Sequence, residues 1–160
     1  MIAAEAYLGL DLGGTGAKAG VFDRAGALLG LARRRIAPRQ AEPGRVEIDI
    51  EAIETAAREA VREAVGAAGA SVRALAVASQ GQTFVSLDGQ GRPLHPAIVW
   101  YDSRAADQAR RLNEALAVPG APARGEVPAI ATAPKIMWLR DRDPGRMDRA
   151  RRFLLLPDFV

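Results

Sequence analysis

Residues Leu8 to Asp23 (LGLDLGGTGAKAGVFD) constrain the fold of this chain more than any other segment. Tyr7 to Asp11 is an apolar run. Lys18 to Asp23 is a second, with Ala19, Val21 and Phe22 available for burial. Between them, Gly13-Gly14-Thr15-Gly16 is too rich in glycine to continue a strand and reads as a tight reversal. Arg24-Ala25-Gly26 forms the next turn, and Ala27 to Ile36 reads as a third strand. The opening is therefore expected to be a three-strand antiparallel meander.

The same reversal carries chemistry. Asp11 is a carboxylate directly after an apolar strand, a position where an ion-binding role is expected. Gly13, Gly14 and Thr15 can offer backbone and hydroxyl donors to a phosphate chain, and Lys18 adds a cation. Asp11 is the candidate magnesium ligand, acting through water.

Residues 37 to 47 contain Pro38, Pro43 and Gly44 and read as a loop. Asp49 resembles an N-cap, with Glu51 in the first turn. Ile53, Ala56, Ala57, Ala60, Val61 and Ala64 recur at helical spacing, which predicts an amphipathic helix to about Ala68. Val72 to Ala78 reads as a buried strand. Gln82 to Asp88, the turn Gly89-Gln90-Gly91, and Ala97 to Tyr101 read as a hairpin. A helix is expected from Ser103 to about Leu116, then a loop over 117 to 131. Thr132 is expected to cap a helix to about Arg140, with Pro134 in its first turn. A short helix from Pro144 to Ala150, a strand from Arg152 to Leu156 and a helix start at Pro157-Asp158 complete the order.

Composition narrows the function classes. The chain has 160 residues, 49% hydrophobic and 26% charged, a globular balance that suits one domain. The net charge is only +3, and its cations are almost all arginine, so Arg33-Arg34-Arg35 reads as a solvated edge rather than a nucleic-acid patch. Cysteine is absent and His95 is the one histidine, which excludes a disulfide scaffold and disfavours a zinc site. No apolar run is long enough to span a bilayer and no basic leader opens the chain, so a cytoplasmic protein is expected. His95, between two prolines, reads as a surface residue. Trp100 and Trp138 sit in apolar runs and read as core.

Three segments, taken in order, resemble the FGGY carbohydrate kinases. They are the opening turn, Ala74 to Arg104 (ALAVASQGQTFVSLDGQGRPLHPAIVWYDSR) and Ala133 to Val160 (APKIMWLRDRDPGRMDRARRFLLLPDFV). Members of that family usually show an aspartate-glycine-threonine turn, a glutamine-bearing loop before D-x-x-G-x-P-L-x-P-A-I-x-W-x-D-x-R, and then K-x-x-W-L. The resemblance implies an α/β, ribonuclease-H-like (actin-like ATPase) domain with a mixed sheet flanked by helices. It further implies that residues 1 to 160 are a partial N-terminal domain. The catalytic aspartate and the nucleotide-binding domain would then lie beyond residue 160, and the isolated chain would be inactive.

The implied activity is transfer of the γ-phosphate of ATP, with Mg2+, to a hydroxyl of a small sugar or polyol. Asp11, Gly13, Gly14, Thr15 and Lys18 would face the nucleotide phosphates. Gln80, Gly81, Gln82 and Asp102 would face the substrate. Glycerol kinases usually carry Arg-Glu at the positions of Gly81 and Gln82, and many xylulokinases carry Met-His. The chain has neither pair, which leaves the substrate open and argues against glycerol. The family usually has threonine where Gly14 stands, and a double glycine is more typical of ROK-type sugar kinases, which remain an alternative. A truncated, non-catalytic sugar- or partner-binding module is another. No nucleic-acid or membrane partner is implied, and the oligomeric state is open, with a homodimer of a full-length form as one arrangement.

Overall fold

The computed structural model describes residues 5–117 and 125–160. The chain forms two compact units. The first comprises residues up to Pro38, Ile48–Gly81 and Leu156–Val160; the second comprises Arg39–Glu47 and Gln82–Leu155.

The first unit opens with the expected meander. Strands β1 (Glu5–Gly13), β2 (Gly16–Phe22) and β3 (Leu28–Arg35) pair antiparallel, with Asp11 opposite Lys18 and Lys18 opposite Arg33. Helix α1 (Ile50–Ala68) follows, and strand β6 (Ser71–Ser79) returns parallel to β1, giving the sheet order β3-β2-β1-β6. The short helix α5 (Leu156–Phe159) also belongs to this unit and contacts β6.

The core follows from alternation. On β1, Ala6, Leu8, Leu10 and Leu12 are buried, while Glu5, Tyr7 and Asp11 on the other face are exposed. Helix α1 lays Ile50, Ile53, Ala56, Ala57, Ala60 and Ala64 against β2 and β3. Asp49 caps it, its carboxylate accepting from the Glu51 N–H at 3.0 Å, and Gly69 ends it in the left-handed region at φ 58°.

Alanine on the helix and Gly30 on β3 let the two backbones come close. A Cβ at Gly30 would lie 2.2 Å from the Ala64 carbonyl oxygen and 3.0 Å from the Ala68 nitrogen. The backbone on both sides would have to yield. Gly30→Ala is therefore expected to destabilise the unit by about 1–3 kcal/mol, read as a lower urea midpoint at unchanged slope. An unchanged midpoint would show that α1 is not seated this tightly.

Strand β6 departs from expectation. It forms where expected, but it is exposed along most of its length, with Leu75 57% and Val77 39% accessible. The reason is that α1 lies over β2 and β3, and β6 is the edge of the described sheet.

The second unit is built on a sheet of order β4-β5-β8-β7-β9. Its strands are β4 (Arg39–Glu42), β5 (Arg45–Ile48), β7 (Phe84–Leu87), β8 (Ala97–Ile98) and β9 (Arg152–Leu155). The β7–β8 hairpin and β9 agree with the sequence reading. The loop expected over 37 to 47 is instead the β4–β5 hairpin, turning at Pro43-Gly44 with Gly44 at φ 78°. What makes it a hairpin is distant in sequence: the Val99 N–H donates to Val46 O at 3.0 Å.

Helices α2 (Ala106–Leu116), α3 (Thr132–Arg142) and α4 (Pro144–Met147) complete the unit. Helix α2 starts three residues later than expected. Thr132 is the first helical residue of α3 rather than its side-chain cap. Part of the loop expected over 117 to 131 lies outside the described residues. Phe84, Ile98 and Leu139 form the centre of the core, with Ile136, Trp138 and Met147 packed around it.

His95 is not a surface residue. It is 8% exposed, meets Phe84 edge-on at 6.0 Å between ring centroids, and its Nδ1 lies 2.7 Å from Pro96 O. Burial pushes its pKa below the ordinary imidazole value of 6.5, the Pro96 carbonyl opposing.

Candidate functional site

In the first unit the reversal after β1 stands open. Asp11, Gly13, Thr15, Gly16 and Lys18 line a cavity of about 840 Å³ together with residues of β3. Gly14 sits in the two-residue turn with Thr15. Asp11 and Lys18 face each other across β1 and β2, Oδ2 to Nζ 3.6 Å, with side chains 56% and 48% exposed. At that exposure the pair contributes little to stability, so both charges remain available to a ligand.

The glycines divide by role. Gly16 is demanded by the fold, since a Cβ there would sit 2.3 Å from Arg34 O. Gly13 has no such internal reason: a Cβ would meet only Gly16 O, at 3.7 Å, and its φ is not in the left-handed region. Its bare backbone faces the cavity, as close approach of an anion requires.

Among the described residues no cluster of three acidic, histidine or cysteine side chains could hold a metal ion by itself. Asp11 is a single exposed carboxylate in a polar cavity. That donor set suits Mg2+, which keeps waters and is shared between one or two carboxylates and substrate phosphates.

Gln80 closes the end of β6 beside the same strand end, its N–H donating to Leu12 O at 3.2 Å. Both polar atoms of its carboxamide are buried without a partner. An orphaned amide of this kind is costly unless a ligand or water satisfies it. Gly81 follows, exposed and with open space around a would-be Cβ.

In the second unit Gln82 is exposed and holds φ 62°, the one non-glycine positive φ among the described residues. Its carbonyl accepts from Thr132 Oγ1 at 3.5 Å. Strain at a polar loop residue of this sort clusters at functional positions. Nothing in the composition of the loop signalled it.

Asp102, expected to face the substrate, is instead held inside the second unit. It is fully buried, and both of its oxygens are occupied within the protein. Oδ1 accepts from the Arg104 N–H at 3.0 Å and Nε at 2.9 Å. Oδ2 accepts from the Val46 N–H at 2.6 Å and from Arg104 Nη2 at 2.8 Å. Arg104, 4% exposed in its side chain, also reaches Glu47 at 2.9 Å. Burial opposes the guanidinium charge, but Asp102 and Glu47 outweigh it and hold the pKa above its ordinary value. Asp102 is an anchor between β5 and the segment after β8.

Lys135 completes that anchor. It is fully buried, and its Nζ donates to Val99 O at 2.8 Å and Trp100 O at 2.9 Å. Burial lowers its pKa from 10.5 to about 8, against the attraction of Asp102. Lys135 is the lysine of the K-x-x-W-L pattern, a position to which the sequence alone attaches no role. Trp138 is flanked by the guanidinium groups of Arg45 at 4.6 Å and Arg104 at 4.9 Å from its ring centroid.

Trp100 is the second correction here. It is 43% exposed rather than core and packs edge-on against Tyr101, also exposed, at 5.3 Å. The buried residues on either side, Val99 and Asp102, hold this pair at the surface.

Sheet order and connectivity, an antiparallel meander joined through α1 to a parallel strand, are those of the ribonuclease-H-like, actin-like ATPase fold. Solved sugar kinases share it. A xyloylose kinase from Brucella ovis matches with a TM-score of 0.87 at 29% identity, over 96% of this chain and 33% of its own. A xylulose kinase from Rhodospirillum rubrum, at 23% identity, shares the fold with a TM-score of 0.87 over 97% of this chain and 33% of its own.

Among curated proteins, a glycerol kinase from Trichlorobacter lovleyi is 37% identical over 91% of this chain and 30% of its own length. One from Burkholderia vietnamiensis is 33% identical over the same shares. The chain thus spans about a third of the relatives it matches. The family model described as the N-terminal domain of the FGGY family of carbohydrate kinases matches residues 6–160. With that match over nearly its whole length, the chain belongs to the FGGY family of carbohydrate kinases, in the part that forms their N-terminal domain.

Proposed function

We propose that this chain is the phosphate-handling part of an ATP-dependent carbohydrate kinase, which transfers the γ-phosphoryl group of ATP to a hydroxyl of a sugar or polyol. The observation that carries the reading is the open cavity at the end of β1, where Asp11, Gly13, Thr15 and Lys18 converge. Phosphoryl transfer needs mainly positioning and charge neutralisation, and these groups supply both.

Asp11 would hold Mg2+ through water, and the ion when bound would neutralise charge on the phosphates. The amides of Gly13 and Gly14 and the Thr15 hydroxyl would orient the transferring group, with Lys18 as countercharge. The buried, unpartnered carboxamide of Gln80 can donate to one hydroxyl of a polyol and accept from another. Gln82 and the exposed ring of Trp100 offer a polar and a flat apolar contact of the kind that carbohydrates use. The base that accepts the hydroxyl proton is assigned to a segment outside these 160 residues, so the chain alone is expected to be inactive.

The test uses a polypeptide in which this chain is joined to the remaining two thirds of an FGGY kinase. Phosphorylation by Mg-ATP is screened over pentuloses, hexuloses, aldonates and polyols, glycerol included. Turnover of at least one class is expected. Absence of both turnover and Mg-nucleotide binding by calorimetry in the folded protein would refute the reading.

A further inference from the structure

The cavity beside the glycine turn extends further than the turn itself needs. Its far wall is β3, with Arg33, Arg34 and Arg35 among its lining. Alternation along the strand separates the three. Arg34 turns to α1, where its Nε donates to Glu59 at 3.1 Å and its Nη2 pairs with Glu63. Arg33 and Arg35 are exposed on the opposite face, the face of Asp11 and Lys18.

Register fixes where they stand. Asp11, Lys18 and Arg33 form one row across β1, β2 and β3, and Gly13, Gly16 and Arg35 form the next. Opposed residues lie about 4.5–5.5 Å apart, and Arg33 and Arg35 about 7 Å apart along the strand. Among the described residues neither arginine is paired with a carboxylate. With Arg34 paired to the helix and Lys18 facing Asp11, the cavity keeps two cations, Arg33 and Arg35, with no carboxylate partner among the described residues.

A lone phosphate would be satisfied at the turn by Gly13, Thr15 and Lys18. Arg33 and Arg35 stand one strand further out, on β3. We infer that this cavity binds a linear polyphosphate of two or more phosphates, with Lys18 at the turn and Arg33 and Arg35 holding the part that extends over β3. The inference rests on the phosphate reading of the turn and adds two binding residues, Arg33 and Arg35, to it. Guanidinium groups suit the task, because each can give a phosphate two parallel charge-assisted hydrogen bonds.

The test is calorimetric titration of the 160-residue chain with tripolyphosphate and with orthophosphate, Mg2+ present. The wild type is expected to prefer tripolyphosphate. R33A/R35A is expected to reduce that preference about tenfold while leaving orthophosphate affinity near wild type, each lost charge contributing a few-fold at this exposure. R33K/R35K should restore part of it, K18A should weaken both ligands, and R58A on the outer face of α1 should change neither. The single variants R33A and R35A give the same readout, a few-fold each, should the double variant not fold. Retention of the full preference in R33A/R35A, with K18A weakening both ligands, would overturn this inference alone. No binding of either anion by the wild type would overturn the phosphate reading as well.

Discussion

Asp102→Ala is expected to destabilise the second unit by about 3–5 kcal/mol, the cost of breaking a buried charge pair from one side. The variant leaves the Arg104 guanidinium almost fully buried, with Glu47 as its one remaining carboxylate among the described residues. It also removes the acceptor of the Val46 N–H, which no solvent would replace at a site this enclosed. Asp102→Asn keeps an acceptor for Val46 but not the charge, so it should fall between wild type and alanine. Urea denaturation gives both values. A loss below about 1 kcal/mol for the alanine variant would mean the carboxylate is not an anchor and would reopen a ligand-facing role.

Lys135→Met should cost about 2–4 kcal/mol at pH 7, and the loss should grow in alkali. Two opposing effects set the neutral-pH figure. The variant strands the carbonyls of Val99 and Trp100, each otherwise bonded by an ammonium worth about 1.5–3 kcal/mol. It also relieves the burial of a charge, which the fall in pKa from 10.5 to about 8 shows to be unfavourable. The two bonds win because methionine fills the volume but offers no donor.

The pH dependence follows from linkage. Below pH 8 the lysine is charged in both states. Between about 8 and 10.5 the unfolded chain holds a proton that the folded chain has released, so wild-type stability gains with pH relative to the variant. The gap between wild type and Lys135→Met should therefore widen by about 3 kcal/mol from pH 7 to pH 10.5, the integral of that shift. Parallel stability curves for the two proteins over that range would refute the assignment of the lowered pKa to Lys135.

These two residues hold the segment that presents the exposed aromatic pair. Lys135 grips the carbonyls of Val99 and Trp100, and Asp102 fixes the chain two residues later. Between them Trp100 and Tyr101 are held exposed. A variant at either anchor is accordingly expected to disturb the exposed aromatic pair, while the cavity at Asp11 in the first unit keeps its own internal support.

Much of the first unit was legible from the residues. Alternation over Leu8 to Leu12, the glycine turn and the 3.6-residue recurrence of alanine on α1 are local patterns, read without knowing any partner. The candidate phosphate site was legible for the same reason: Asp11, Gly13, Gly14, Thr15 and Lys18 lie within eight consecutive residues. The second unit was harder. The β4–β5 hairpin depends on β8, and His95 is buried by packing on Phe84. The same holds for β6, whose apolar composition read as buried although α1 covers other strands.

The opening meander, the acidic strand end and the glycine reversal were settled by sequence alone, because hydrophobic period and backbone sterics act over a few residues. Tertiary structure decided which polar groups are sealed and which stand open. Asp102 and Asp11 are both carboxylates next to apolar strands, yet one bonds a backbone N–H 56 residues away and is sealed, while the other opens into a cavity. Burial depends on what the rest of the chain brings to a side chain, and that is a property of contacts between distant residues.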